Sequence, residues 1–295
     1  MRAVLRELET PQTTTRSADL EAQLQRRALL GRIFSYSVMI VIVVAILAPL
    51  VPILIWAFSG RWLYPHLLPE ELSLRAWKYV FSPASKAGEA ALKGGVIAIV
   101  ATLLSLLIGI PAGRALGLHN FRGKGLVQFL ILAPVIVPGL AVLMGIHVAF
   151  IRLGLAGNLV GVTLAHLIGT TPYVVMVMSS VFSNYDPEFE EQARTLGAGP
   201  MRTFMHVTLP TIFPGLLVAG MFAFIISWGQ YIVTLLISGG QVITVPLLLV
   251  NFANSSDKPV TAALCLVFLA PSILIIIITS KYLTGENAAL GGFGA

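Results

Sequence analysis

Ser227, Gln230 and Tyr231 form the one concentrated polar group inside a long apolar run. Their i, i+3, i+4 spacing puts them on one face of a helix. A hydroxyl, an amide and a phenol can together donate and accept hydrogen bonds to a small polar solute without holding it tightly. The same spacing also suits side chains that bond only neighbouring helices. His147 and His166 stand alone in two other apolar runs. They could make a metal pair or a proton relay, or one interhelical hydrogen bond each, the commoner arrangement. The sequence has no His-Glu-x-x-His zinc site, no Gly-x-Ser-x-Gly elbow and no phosphate-binding loop ending in Gly-Lys-Ser/Thr. No acid lies inside an apolar run, as a proton-coupled carrier normally requires. The expectation is therefore no catalytic residue, no metal site and no cofactor on this chain. Any ATP-driven work would borrow its energy from a partner.

A second cluster is outside the apolar runs, from Asn184 to Pro210. Asp186 before Pro187 is a helix start, with the acid at the N-cap and Pro at the first position. Glu188, Glu190 and Glu191 suit the positive end of that helix, and Arg194 its C-terminal end. Gly197 can stop it in the left-handed conformation. Gly199-Pro200 then starts a second short helix, carrying Arg202, that should end before Pro210. Two short helices around a glycine elbow make a knob able to seat in a groove of a partner. An ordinary amphipathic loop is the alternative.

The elements that hold these groups are membrane spans. The 295 residues are 57% hydrophobic and only 11% charged, with mean hydropathy +0.89. Soluble domains carry roughly 25% charge, and a span needs about 20 apolar residues. The uncharged runs place spans at about 33–58, 94–113, 126–151, 160–182, 212–237 and 259–280, with a half-apolar, interfacial or re-entrant stretch from Gln241 to Asn254. The resulting fold class is an all-α membrane protein of six transmembrane helices. Residues 1–32 form an N-terminal segment, 33–282 the transmembrane domain, 183–211 the knob-bearing loop and 283–295 a tail. With the N-terminus inside, twelve of the 19 basic residues face inward and seven outward, so both termini are expected to be cytoplasmic. A helix capped by Ser17, with Leu20, Leu24 and Ala28 on one face, could lie on the membrane surface; a frayed tail is the alternative. Basic residues flank the apolar runs and make no patch, so lipid is the expected partner and nucleic acid is not. Cys265 is the single cysteine and excludes an internal disulfide. Met144, Met176 and Met178 are expected to fill packing gaps.

The loop also carries a resemblance. Glu191-Gln192-Ala193, three residues, Gly197, nine residues, then Val207-Thr208-Leu209-Pro210 resembles the EAA loop of permease subunits in binding-protein-dependent ABC importers. Gln192 and Val207 depart from the family pattern while the spacing is kept. The resemblance covers essentially the whole chain and implies a type I, MetI-like permease. Residues Glu190, Glu191, Gln192, Ala193, Leu196, Gly197, Ala198, Arg202, Leu209 and Pro210 would then shape the coupling helix that docks on an ATPase. Implied partners are a second permease subunit, making a heterodimer, two ATPase subunits holding ATP and Mg, and an extracytoplasmic solute-binding protein. Leu196-Gly197-Ala198, Ala133 to Gly139, Ala165-His166, Thr171-Pro172-Tyr173, Ser238-Gly239-Gly240 and Val245-Pro246-Leu247 resemble the polyamine, ferric-iron, opine and phosphonate branch. Tyr173 joins the candidates for the solute path on that ground. Ser227-Trp228-Gly229-Gln230-Tyr231 instead resembles a run of sugar permeases, as does the tail Leu290 to Gly294, so a carbohydrate importer is the alternative. A secondary carrier or an intramembrane enzyme is the alternative of another class.

Overall fold

The computed structural model describes residue 29 and residues 31–62, 66, 68–137 and 139–283. The expected surface helix at 17–28 and the tail from 284 lie outside the described residues. The chain divides into two compact units at Ile55–Trp56. The first contains an apolar helix α1 (Gly31–Leu47), which a 40° bend separates from α2 (Leu50–Ala57). Pro49 explains the bend, since it can supply no N–H to the ladder.

Among its described residues the second unit has helices and loops and no strand, apart from one isolated bridge between Ser59 and Leu72. After a short α3 (Arg75–Val80) come α4 (Ala87–Leu118), α5 (Lys124–Ile136), α6 (Gly139–Arg152) and α7 (Leu159–Ser183). Next are α8 (Glu188–Thr195), α9 (Pro200–Thr203), α10 (Leu209–Trp228), α11 (Ile232–Ser238), α12 (Val245–Ala253) and α13 (Lys258–Leu283). Among the described residues four helices are long and apolar enough to cross a membrane, or up to six spans if each bent pair counts as one.

Two expected spans are not single helices. Between α5 and α6 the chain turns by 96°. Val137 there is extended, φ −73 and ψ 141, as steric clash with a following proline demands. The run 212–237 is also divided, because α10 stops at Trp228 and α11 starts only at Ile232. Gln230 N–H turns back to Ser227 O at 3.2 Å, an i−3 bond that tightens and ends α10. Ser227, Gln230 and Tyr231 therefore do not share a continuous helical face. The second short helix of the loop also fails to end before Pro210. A π-helical turn, Phe204–Thr208, carries α9 directly into α10, so the helix runs on through Pro210.

α4 and α7 lie against each other along most of their length. A Cβ on Gly113 would come 2.5 Å from Met178 Cβ, and one on Gly117 2.6 Å from Phe182 Cβ. Only glycine permits that approach. In lipid the gain from such packing is dispersion and not water release, so small residues at the seam decide it. Asn158 starts α7 by accepting from Gly161 N–H at 2.8 Å. Val174, Met178, Phe182, Ile212, Ala219 and Ala223 form one core cluster, and Ile97, Leu143, Val162, Ala165, Val233 and Ile237 another. Met178 fills space as expected, whereas Met144 and Met176 are exposed. Arg75 of α3 is paired with Asp257, just before α13, through bonds of 2.9 and 2.7 Å.

Candidate functional site

At one end of the bundle the loop from Asn184 to Thr208 makes a rigid knob. Asp186 Oδ1 accepts from Glu188 N–H at 2.9 Å and caps α8. The helix stops in a Schellman turn: Gly197 N–H donates to Arg194 O at 2.9 Å and Ala198 N–H to Ala193 O at 3.0 Å. Gly197 has φ +86, the left-handed value that glycine takes without strain.

One carboxylate ties this knob to the bundle. Glu190 is only 4% exposed and accepts two bonds of 2.8 Å from Arg114 near the end of α4. Thr208 Oγ1 donates to it at 2.8 Å, Tyr185 Oη at 3.2 Å, and Arg194 Nη2 lies 3.6 Å away. The Arg114 guanidinium, with help from Thr208 and Tyr185, holds the carboxyl down at about 2. Arg114 also sits over the Phe182 ring, 5.8 Å from its centroid. Neither Arg114, Thr208 nor Tyr185 is singled out by sequence spacing. Glu191, Gln192, Leu196, Arg202 and Pro210 are exposed, and Ala193, Ala198 and Leu209 half-buried. Among the charged residues of the outer surface stand four exposed apolar ones: Leu196, 88% exposed, with Phe189, Met201 and Met205.

The second site is a cavity of about 400 Å³ between α6, α7 and the start of α11. Leu140, Leu143, Ala165, Ile168, Ile232 and Val233 give it apolar walls, and Gln230 supplies the one side-chain amide of its lining. A Cβ on Gly169 would come 2.8 Å from Gln230 Nε2, so the glycine makes room for that amide. Of the four polar candidates, Gln230 alone lines the cavity. Ser227 is buried and within 2.8 Å of His166 Nδ1. Tyr173 is 42% exposed and Tyr231 half-buried, both outside the lining. Thr234 Oγ1 lies 3.1 Å from His166 Nε2, so this histidine bonds neighbouring elements, as the commoner arrangement has it. His147 does not follow, because its buried Nδ1 has no hydrogen-bond partner among the described residues. Trp228 Nε1–H donates to Phe268 O of α13 at 2.9 Å, and its ring stacks on Phe224 and Phe268.

Residues 105–284 match the family model described as the binding-protein-dependent transport system inner membrane component. The chain belongs to that family. This permease is 29% identical over 248 residues to the putrescine transport system permease protein PotI of Escherichia coli, covering 82% of the chain and 83% of that protein. It is 24% identical to the spermidine/putrescine permease PotC of Haemophilus influenzae, over 68% of the chain and 77% of the relative. The molybdate/tungstate permease WtpB of Pyrococcus abyssi is 35% identical over 127 residues, 43% of the chain and 51% of WtpB. Among solved structures, a bacterial ABC transporter that imports the acidic polysaccharide alginate matches with TM-score 0.68 and 19% identity. That match covers 88% of the permease and 98% of the alginate transporter chain. The likeness to the alginate transporter is one of fold. The permease is thus a multi-pass membrane protein, helical in its described residues, with the ABC importer permease fold.

Proposed function

We propose that this permease is the non-catalytic, solute-conducting subunit of an ATP-driven importer for a small polar solute. It pairs with a second permease subunit, two ATPase subunits that hold ATP and Mg, and an extracytoplasmic binding protein. It has six spans with cytoplasmic termini, the bent pairs α1–α2 and α5–α6 each counting as one. The observation that carries this reading is the knob at 184–208, which exposes four large apolar side chains and is pinned inside by Glu190 to Arg114. Phe189, Leu196, Met201 and Met205 would seat in a groove of the ATPase. Because Glu190 also bonds Thr208, a movement of the docked knob would be passed to α4 and α10 together. ATP binding draws the two knobs of the permease pair together and opens the path outward. Hydrolysis then restores the inward-facing state.

Gln230 supplies the polar contact on the path, with Ser227, Tyr231 and Tyr173 as supporting residues around it. An apolar cavity of this size with one amide fits a small solute in transit and not one held tightly. The polyamine, iron, opine and phosphonate branch is the favoured solute class, supported by Leu196-Gly197-Ala198 and by PotI and PotC among the relatives. The run Ser227 to Tyr231 favours the carbohydrate reading instead. Purifying the partner binding protein and identifying its bound ligand by mass spectrometry separates the two. A polyamine, iron chelate, opine or phosphonate supports the first, and a sugar supports the second. Uptake by this chain alone, without ATPase subunits, would sink both in favour of a secondary carrier.

A further inference from the structure

The buried polar groups of α7, α10 and α11 form one directed chain of hydrogen bonds. Thr234 Oγ1 is 2.9 Å from the backbone carbonyl of Gln230. A carbonyl only accepts, so the threonine hydroxyl donates there. Its oxygen must then accept from His166 Nε2, 3.1 Å away, which puts the imidazole proton on Nε2. Nδ1 is left as the acceptor for the Ser227 hydroxyl at 2.8 Å. The order is Ser227 to His166 to Thr234 to the carbonyl of Gln230, and all three side chains are buried. His166 is itself fixed, because Thr170 Oγ1 donates to its carbonyl at 3.1 Å and Ser105 of α4 lies 2.6 Å from Thr170.

Ser227 is in the last turn of α10 and Thr234 in the first turn of α11. One imidazole therefore bonds both sides of the break at 229–231. The chain ends on the main chain of Gln230, the residue whose amide lines the cavity. One helical turn further along α7, Gly169 leaves the room which that amide needs. No proline lies between Gly215 and Gln241, so nothing covalent prevents α10 and α11 from joining into one helix. The buried chain supplies the opposing force, since breaking it strands polar groups away from water.

We propose that His166 is a positioning residue of the solute path: its imidazole staples the two halves of the broken span and holds Gln230 at the cavity. The functional part rests on the reading of that cavity as the path, while the geometric part does not. In the complete importer, with Cys265→Ala as background, Gln230→Cys should react with N-ethylmaleimide that enters the cavity. Adding His166→Leu should slow that labelling about tenfold, by letting the span close and turn residue 230 away from the cavity. Thr234→Val, which keeps the shape and removes the hydroxyl, should slow it likewise. His166→Gln, which keeps one donor and one acceptor, should restore it. Co-purification of the ATPase subunits controls for folding in each variant. Equal labelling rates in native, His166→Leu and Thr234→Val backgrounds would overturn the staple. Uptake by Gln230→Ala of the solute recovered from the partner binding protein tests the path separately. Unchanged uptake beside slowed labelling would remove the path reading and leave the staple standing.

Discussion

Arg114 and Glu190, 76 residues apart, meet through two parallel bonds of 2.8 Å that anchor the knob to α4. A carboxylate held at about 2 against an ordinary 4.5 stabilises the folded loop fully above the ordinary value. That contribution, on the order of 3 kcal/mol, is lost as pH falls through the window from about 4.5 to about 2. The protection factors of the 184–208 amides, corrected for the intrinsic exchange rate at each pH, should therefore be high at pH 6 and fall below pH 4.5. Glu190→Gln should remove this dependence. Arg114→Ala should cost about 2–4 kcal/mol, since it leaves a buried charge unpaired. Exchange that is indifferent to Arg114→Ala would refute the anchor.

Gly197 has φ +86 and open space where a Cβ would lie. A substitution there is strained by its backbone alone, so Gly197→Val should cost about 1–3 kcal/mol. Gly197→Asn should cost less, because asparagine tolerates the left-handed region. The expected phenotype of Gly197→Val is a permease that inserts normally and hydrolyses ATP with its partners but no longer imports. Normal solute-stimulated uptake in that variant would remove Gly197 from coupling.

The α4–α7 seam should be intolerant of bulk. Gly113→Leu places atoms where Met178 Cβ already lies, 2.5 Å from the first of them. Overpacking of this kind costs about 1–3 kcal/mol or more. The thermal midpoint of the detergent-purified complex should fall, while Gly145→Leu, with nothing within 4 Å of its Cβ, should leave it unchanged. Equal midpoints would show that the seam can open.

Orientation has its own test in intact cells of a Cys265→Ala strain. A cysteine at Lys78 on α3 should react with a membrane-impermeant maleimide, and one at Arg202 on the knob should not. The reverse pattern would place the knob on the wrong side of the membrane for an ATPase.

Of the runs bounded by charge, 94–113 and 160–182 each fall inside one helix, α4 and α7, because excluding charge is the physical requirement of a span, whereas 126–151 is divided by the 96° turn. The stop of α8 at Gly197 was legible too, since a glycine C-cap is local chemistry. The break at 229–231 was hidden, because hydropathy continues through it and the i, i+3, i+4 reading presumes an unbroken helix. His166, which bonds Ser227 and Thr234 on either side of the break, is more than 60 residues away in the chain. Arg114 was hidden for the same reason: nothing near it in sequence announces Glu190. Gly109, Gly113 and Gly117 recur every four residues, a small-residue signal for close helix packing that composition alone conceals.

ATP-driven uptake tests the central claim most directly. It should be measured in proteoliposomes holding the complete importer, with the solute recovered from its binding protein, for the native permease and for Gln230→Ala. The expected result is uptake that requires ATP and falls about three- to tenfold in Gln230→Ala, the loss of one hydrogen bond in transit, with basal hydrolysis unchanged. Uptake and solute preference equal to the native values in Gln230→Ala would contradict the assignment of this cavity to the solute.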